Sequence, residues 1–152
     1  MAAAEATRES ILADIATTLA TIDGTGDYWT AVISIKRVLE VPTNLEIEEK
    51  PAILIVPTGA VEQIENQHAY HDVHTMPIGI VGILDRSETD VGTAINRFMK
   101  DISIAMIADV TRGGYASMTW KRSQTDQSAY FGRLAVCELE FAIRWHCDGR
   151  EE

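Results

Sequence analysis

Apolar and polar residues alternate most regularly near the end of the chain, over residues 133–147. The odd positions from Ala135 to Cys147 are apolar, and the even positions from Glu138 to His146 are mostly polar. A period of two with one apolar face predicts a half-buried β-strand. Because a strand of this length needs a broad sheet beside it, the remaining segments are expected to supply further strands.

Two segments have the helical period instead. Over residues 7–23, apolar residues recur every three or four positions, and the glycines at 24 and 26 end the pattern. The second helix is predicted from Ser87, a favourable N-cap residue, to about Asp109, and Arg112-Gly113-Gly114 predicts its end and a turn. Its apolar stripe is the broader one and consists of Val91, Ala94, Ile95, Phe98, Met99, Ile102, Ala105 and Met106.

Four further segments predict strands by alternation or by short apolar runs: residues 28–39, 52–56, 77–84 and 115–122. The second and third of these are apolar on both faces, as in strands that are covered on both sides. Residues 60–66 predict a weaker strand, residues 68–74 the polar, irregular tip of a ribbon, and residues 123–128 a polar loop.

This order of elements contains no repeated strand–helix–strand unit, so a doubly wound nucleotide-binding fold is not expected. We predict a single α+β domain over residues 1–152, with a mostly antiparallel sheet of about five strands, two helices on one face and a long protruding β-ribbon. The other face would then need a cover. The pattern favours another subunit, and the alternative is that the first helix and the ribbon at 60–76 fold back over it.

Charge and cysteine content narrow the function classes. The 152 residues include 13 Lys and Arg and 23 Asp and Glu, giving a net charge of −10. An acidic chain repels phosphates, so sequence-independent binding of nucleic acid is not expected. Cys137 and Cys147 would lie roughly 33 Å apart on one strand, too far for a disulfide, which predicts buried thiols in a reducing compartment. Neither a signal peptide nor a membrane span is predicted.

Three histidines, His68, His71 and His74, are the most prominent candidates for chemistry. A spacing of three would bring imidazoles together on a helix and could hold a metal ion. On a strand the same spacing alternates faces and separates them. The surrounding residues favour an extended ribbon, so an exposed polar loop is the main interpretation, and a small metal- or ligand-binding enzyme is the alternative.

Acidic residues offer a second set of candidates for chemistry. Asp109, Asp126, Glu138 and Glu140 could in principle transfer protons. No nucleophile or third group accompanies them in the sequence, so we predict no catalytic, cofactor-binding or metal-binding residues.

The three tryptophans lie on different predicted strands. Trp29 and Trp145 are on apolar faces and are predicted to be core residues. Trp120 lies beside Lys121 and Arg122 and is predicted to be at the surface or in an interface.

The layout as a whole resembles a known family. The similarity rests on Pro-Ala-Ile-Leu-Ile-Val at 51–56, on the strand at 78–84, on Asp-Val-Thr-Arg-Gly-Gly at 109–114 and on Phe-Ala-Ile-Arg-Trp at 141–145. This pattern resembles the tail terminator, or tail-completion, proteins of tailed bacteriophages, which belong to a wider group of head–tail connector proteins. It spans nearly the whole chain and includes no diagnostic motif. The histidine-rich segment is a departure from the family.

The resemblance implies a structural protein of the virion tail or neck, without enzymatic activity or cofactor. Such proteins form a ring, usually a hexamer, that caps the tail tube and docks to the head-side connector, while DNA passes through the lumen without specific binding. A head-side stopper or neck adaptor is the alternative within the same assembly. The residues assigned to subunit or tail-tube contacts are Ile64, Tyr70, Val73 and Met76. The residues assigned to an acidic lumen or rim are Glu46, Glu48, Glu49, Glu138 and Glu140.

Overall fold

A computed structural model describes residues 6–39, 49–58, 62–65, 71–85, 90–128 and 133–148. Within these ranges the chain forms two α-helices and six β-strands. In chain order they are α1 (Thr7–Leu19), β1 (Ser34–Arg37), β2 (Ala52–Pro57), β3 (Glu62–Glu65), β4 (His71–Asp85), α2 (Val91–Ala108), β5 (Met118–Asp126) and β6 (Leu134–Asp148).

All six strands belong to one sheet, in the order β1-β2-β4-β6-β5. Strands β1 and β2 are parallel, and every other pair is antiparallel. Strand β3 also pairs with β4, over residues 72–75, whereas β2 pairs with β4 over residues 78–83. The predicted α+β class and mostly antiparallel sheet are therefore confirmed.

Strands β4 and β6 form the centre of the sheet and pair along their whole length, from His71 opposite Asp148 to Asp85 opposite Leu134. The bounds of β6 agree with the prediction to within one residue. Strand β4, however, begins six residues before the predicted start at Pro77. The irregular ribbon tip predicted at 68–74 is wrong for residues 71–74, because β6 provides them with backbone hydrogen-bond partners.

Both helices pack on one face of the sheet, as predicted. The core between them includes Ile11 and Ile15 from α1, Phe98 and Ile102 from α2, and Trp145 from β6, all completely buried. Side chains of this size each contribute about 1.5–3 kcal/mol when they are removed from water. Helix α1 is shorter than predicted and ends at Leu19, but the following turn still places Ile22 in the core.

A glycine in β4 determines how closely α2 approaches the sheet. A Cβ atom on Gly82 would lie 2.8 Å from Cys137 Sγ, 3.1 Å from a ring carbon of Phe98 and 3.3 Å from Cδ1 of Ile102. These separations are shorter than ordinary van der Waals contacts, so the helix sits at a distance that a larger residue would not allow.

On the opposite face of the sheet, our prediction that another subunit is needed as a cover is corrected. Its apolar side chains form a second cluster that is already buried within a single chain, and Val38 packs against it. No partner subunit is therefore needed to bury this cluster, and α1 does not cover it, since α1 packs with α2 on the other face. The cluster consists of Ala52, Leu54, Val56, Val81, Ile83, Leu134 and Val136.

The two outer strands of the sheet also differ from the prediction. Strand β1 covers only Ser34–Arg37 of the predicted 28–39, and the residues before it form a loop with an isolated bridge between Asp23 and Ala31. Strand β5 extends to Asp126, through part of the predicted 123–128 loop, with a β-bulge between Lys121 and Ser123. A bulge adds a residue to one strand while pairing continues, which alternation alone does not reveal.

Burial predicts low reactivity for the Cys137 thiol. The residue is completely buried between β6 and α2, and burial raises its pKa to about 12. In a Cys147→Ser variant, we expect a thiol-specific reagent to leave Cys137 unmodified at pH 8 until the protein is unfolded by denaturant, because the thiolate is the reactive form. A colorimetric thiol count before and after denaturation measures this. Full modification of the folded protein within minutes would contradict the prediction.

Candidate functional site

An open groove lies between the loop that precedes β1 and the first half of α2. It has a volume of about 540 Å³. Two large apolar side chains at this groove are unusually exposed, Trp29 at 60% and Ile33 at 63%. Exposed aromatic and aliphatic side chains beside a concave surface are typical of protein contact sites. We call this feature the Trp29 groove, and its main lining residues are Trp29, Thr30, Ile33, Asp90, Thr93 and Arg97.

A buried carboxylate holds the backbone of the groove in place. Asp101 of α2 is completely buried, and its two oxygens accept hydrogen bonds from the backbone N–H of Trp29, at 3.2 and 3.1 Å, and of Thr30, at 2.8 Å. Backbone amides that bond a buried carboxylate offset part of its desolvation and are fixed by it. The loop is also held by bonds from the Val32 amide to Ile22 and from the Ile33 amide to Pro51.

The exposed indole of Trp29 is itself covered on one side by a cation. The guanidinium carbon of Arg97 lies 4.0 Å from the centroid of the Trp29 ring, a close cation–π contact. Within the described residues, Arg97 makes no ion pair. Asp90, the carboxylate of the groove, accepts a hydrogen bond from the Thr93 hydroxyl at 2.8 Å. The groove therefore combines two apolar side chains on a fixed loop with a cation, Arg97, that makes no ion pair within the described part of the chain.

Our prediction that Trp29 is a core residue is wrong, whereas Trp145 is completely buried as predicted. Strand alternation placed Trp29 on an apolar face, but the residue lies in the loop before β1. The residue that fixes this loop, Asp101, was not recognised in the sequence. It lies beside Ile102 on the apolar stripe of α2, and a charged residue in such a position is a signal that could have identified it.

A second set of exposed apolar residues lies beyond the middle of α2. Ile107 in the last turn of the helix is 45% exposed, and Tyr115 and Met118 in the segment that follows are 52% and 51% exposed. Asp109 lies within the same stretch and is also exposed. We call these exposed residues of segment 107–118 the α2-end surface: Ile107, Asp109, Tyr115, which also lines a groove with Asp14 of α1, and Met118 at the start of β5. It occupies the end of α2 opposite to the one that contributes to the Trp29 groove.

The turn that carries this surface is built around Arg112. This side chain is completely buried, and its guanidinium donates hydrogen bonds to the carbonyl oxygens of Met106, at 2.5 Å, and Asp109. These are carbonyls at the end of α2, where the helix itself supplies no donors. Arg112 Nε lies 3.8 Å from an oxygen of Asp14 in α1, so the same residue links the two helices. The predicted helix end at 112–114 is confirmed, but the role of Arg112 was not foreseen.

The carboxylates that were considered as proton-transfer groups have structural partners. Asp109 accepts hydrogen bonds from the hydroxyl and amide of Thr111 and from the amide of Gly113. The bond from the Thr111 hydroxyl is the largest cause that lowers the pKa of Asp109, which keeps it ionised. Asp126 accepts bonds from the amide and hydroxyl of Ser128 in the same way. Both are turn-forming aspartates, a common use of this residue.

The predicted lumen residues are only partly within the described residues. Glu46 and Glu48 lie outside them, and Glu49 is exposed. Glu138 accepts a hydrogen bond from Gln127 Nε2 at 2.9 Å, and Glu140 lies 3.7 Å from Arg122. Both are half-buried and, two residues apart on β6, share one face of the sheet.

The structure describes only some of the four residues that were predicted to make subunit or tail-tube contacts. Tyr70 and the side chain of Ile64 lie outside the described residues, although the backbone of Ile64 pairs with Val73. Val73 is half-buried. Met76 is completely buried in the core on the helix side, so its side chain presents no surface to a neighbour and its assignment as a contact residue is corrected.

The histidine segment is only partly within the described residues. His68 and the side chain of His71 lie outside them, whereas His74 lies in β4. His74 is buried, and its ring centroid lies 5.2 Å from that of Trp145. Within the part of the chain that the structure describes, no group of three or more His, Cys, Asp or Glu residues is placed to hold a metal ion.

Both outer strands carry features that discourage the addition of another strand. In β1, Lys36 and Arg37 are exposed, and Arg37 forms a two-pronged ion pair with Glu9 at 2.5 and 2.8 Å. In β5 a bulge interrupts the ladder, and the guanidinium carbons of Arg122 and Arg144 lie 5.9 and 5.3 Å from the ring centroid of Trp120. Charged side chains and bulges are common protections of sheet edges.

Comparisons with known proteins assign the chain to no family. No protein-family model matches the chain, and no curated protein matches it in sequence. Among the described residues, none of the helices has the length and apolar character needed to cross a membrane.

Proposed function

We propose that this protein is a structural component of a bacteriophage tail, a tail terminator whose copies form a ring, with six copies as the expected number. The ring caps the tail tube and docks to the head-side connector, and DNA passes through its lumen. The function is association and includes no catalytic step. The proposal starts from the resemblance of the sequence pattern and is supported by the distribution of exposed apolar residues.

The observation that carries the proposal is the presence of two different exposed apolar surfaces on one chain. Helix α2 has 18 residues and is therefore roughly 27 Å long. The Trp29 groove lies along its first half, and the α2-end surface lies at its last turn and in the segment that follows. A ring requires two different surfaces on each copy, because each subunit contacts one neighbour with each of them.

The protected edges of the sheet favour contact through side chains. With Lys36 and Arg37 on β1 and a bulge in β5, extension of the sheet by a neighbour is unfavourable at both outer strands. Within the described residues, β3 pairs only with β4, so its other edge and the exposed apolar side chains remain as features that could supply the free energy of association.

The charge of the chain suits a channel for DNA. A net charge of −10 on each copy repels the phosphate backbone, which lets DNA slide without being retained. Glu49 is exposed and Glu138 and Glu140 are half-buried, and these residues, with Glu46 and Glu48, remain our assignment for the lumen or rim. A head-side stopper or neck adaptor would use the same physical properties and is the alternative role.

Electron microscopy combined with light scattering tests this proposal. We expect purified protein, or protein mixed with tail tubes, to form rings with a central opening and a mass near six times that of the 16.8 kDa chain. We also expect the rings to occupy one end of the tubes, whereas a stopper would bind the head-side connector and leave tubes bare. A protein that stays monomeric at high concentration, both alone and with tubes, would refute the proposal.

A further inference from the structure

We propose that the Trp29 groove binds the α2-end surface of a second copy of this chain. This inference rests on the proposed ring and identifies the two surfaces that meet in it. Its occupant is defined by chemistry: an apolar surface with an aromatic side chain and one exposed carboxylate.

The groove has the properties of a preformed binding site. Trp29 and Ile33 are exposed, yet the loop that carries them is fixed by the buried carboxylate of Asp101. A flexible loop would have to be ordered on binding, at a cost in conformational entropy, whereas a fixed one avoids most of this cost. Exposed apolar side chains on a rigid backbone are thus suited to bind a partner with little rearrangement.

One pair of charges on the two surfaces is complementary. The groove holds a cation, Arg97, and a carboxylate, Asp90, which accepts a bond from the Thr93 hydroxyl. Arg97 covers Trp29 and makes no ion pair within the described residues, so a carboxylate from a partner could bind it. The α2-end surface carries an exposed carboxylate, Asp109, which accepts hydrogen bonds within its own turn. Apolar contact combined with an Arg97–Asp109 pair would provide both affinity and a defined orientation.

Another exposed apolar residue, Leu39, is less suited to this contact. It lines a groove of about 530 Å³ together with Arg37 and Glu9. These two charges already form the two-pronged ion pair with each other at 2.5 and 2.8 Å. Arg8 also lines this groove. A partner would have to accommodate the existing ion pair, whereas Arg97 makes no ion pair within the described residues.

Contact between unlike surfaces has a geometric consequence. Each copy would use its Trp29 groove for one neighbour and its α2-end surface for the other, so the contact repeats around a ring. A two-fold dimer, in contrast, would pair each surface with itself. Cross-linking distinguishes these arrangements because the two positions can be placed on separate chains.

The experiment uses full-length protein in a Cys147→Ser background, in which the buried Cys137 is not expected to react. One chain carries Ile33→Cys and another carries Met118→Cys, both at positions that are exposed in the single chain. We expect a disulfide-linked dimer when the two chains are mixed and mildly oxidised, and none from either chain alone. A chain with both substitutions should give a ladder that rises in steps of one chain mass.

The control replaces Ile33→Cys with Lys36→Cys, an exposed position three residues further along the chain. It should not cross-link to Met118→Cys. Light scattering on the same samples distinguishes an error in the assigned surfaces from an error in the proposed ring. An oligomer that cross-links at neither pair, or through one position with itself, overturns the assigned surfaces and leaves the ring standing. A monomer under all conditions overturns both.

Discussion

Replacing Arg112 with alanine should lower the free energy of unfolding by about 3–4 kcal/mol. The guanidinium is completely buried, donates to the Met106 and Asp109 carbonyls at the end of α2, and lies 3.8 Å from Asp14. Truncation leaves these acceptors without their donor and a partly buried carboxylate without its counter-ion, and loss of one partner of a buried pair typically costs about 3–5 kcal/mol. Asp14 is partly exposed, which favours the lower half of that range.

Urea unfolding followed by circular dichroism measures this effect, at one protein concentration for all variants because assembly would add stability. Arg112→Lys keeps the charge but lacks the planar fork that bonds two carbonyls, so we expect it to recover less than half of the loss. Arg133→Ala is the matched control: it removes an exposed arginine outside both proposed contact surfaces, which predicts a loss below about 1 kcal/mol. Equal losses for Arg112→Ala and Arg133→Ala would show that Arg112 does not cap the helix.

Replacing Asp101 with alanine should lower the free energy of unfolding by about 2–3 kcal/mol. Its carboxylate accepts hydrogen bonds from the amides of Trp29 and Thr30. Bonds to a charged group contribute about 1.5–3 kcal/mol, and truncation leaves buried donors without an acceptor. Asp101→Asn retains one acceptor oxygen and is expected to recover part of the loss. Asp27→Ala, at an exposed aspartate, is the control and should change stability by less than about 0.5 kcal/mol.

A second measurement connects Asp101 to the proposed contact. Hydrogen exchange at the amides of Trp29 and Thr30 should become faster in Asp101→Ala, while exchange in the β4–β6 pair stays slow under native conditions. If the Trp29 groove binds a neighbour, the same variant should associate more weakly although Asp101 has no exposed surface. Unchanged exchange at these two amides would mean that Asp101 does not hold the loop.

The sequence predicted the parts of the fold that depend on long, regular patterns. Strand β6 and the apolar stripe of α2 each continue for many residues, so chance interruptions matter little. The start of β4 was missed because residues 71–76 are polar or mixed and are held in the sheet by β6. A predicted 15-residue strand already implied a partner of similar length, and this argument would have extended β4.

The candidate site was harder to predict because its contacts are distant in sequence. Trp29 and Asp101 are separated by 72 positions, and alternation around Trp29 gives no sign of a carboxylate from another element. The cover of the second sheet face was also misjudged: its apolar residues are buried in the single chain, so strand hydrophobicity alone did not indicate an interface. The proposed interface rests instead on exposed side chains, among them Trp29, Ile33, Tyr115 and Met118.

Gly82 would influence the curvature of such an assembly. The Trp29 groove and the α2-end surface lie along one helix, so in the proposed ring the direction of that helix on the sheet would set the turn from each subunit to the next. Gly82 allows the helix to sit close to β4, with Phe98 and Ile102 directly above it. A side chain there would lift the middle of α2 and tilt it about that point. The curvature of the ring, and with it the width of its opening, would then depend on the absence of one methyl group at the centre of the sheet.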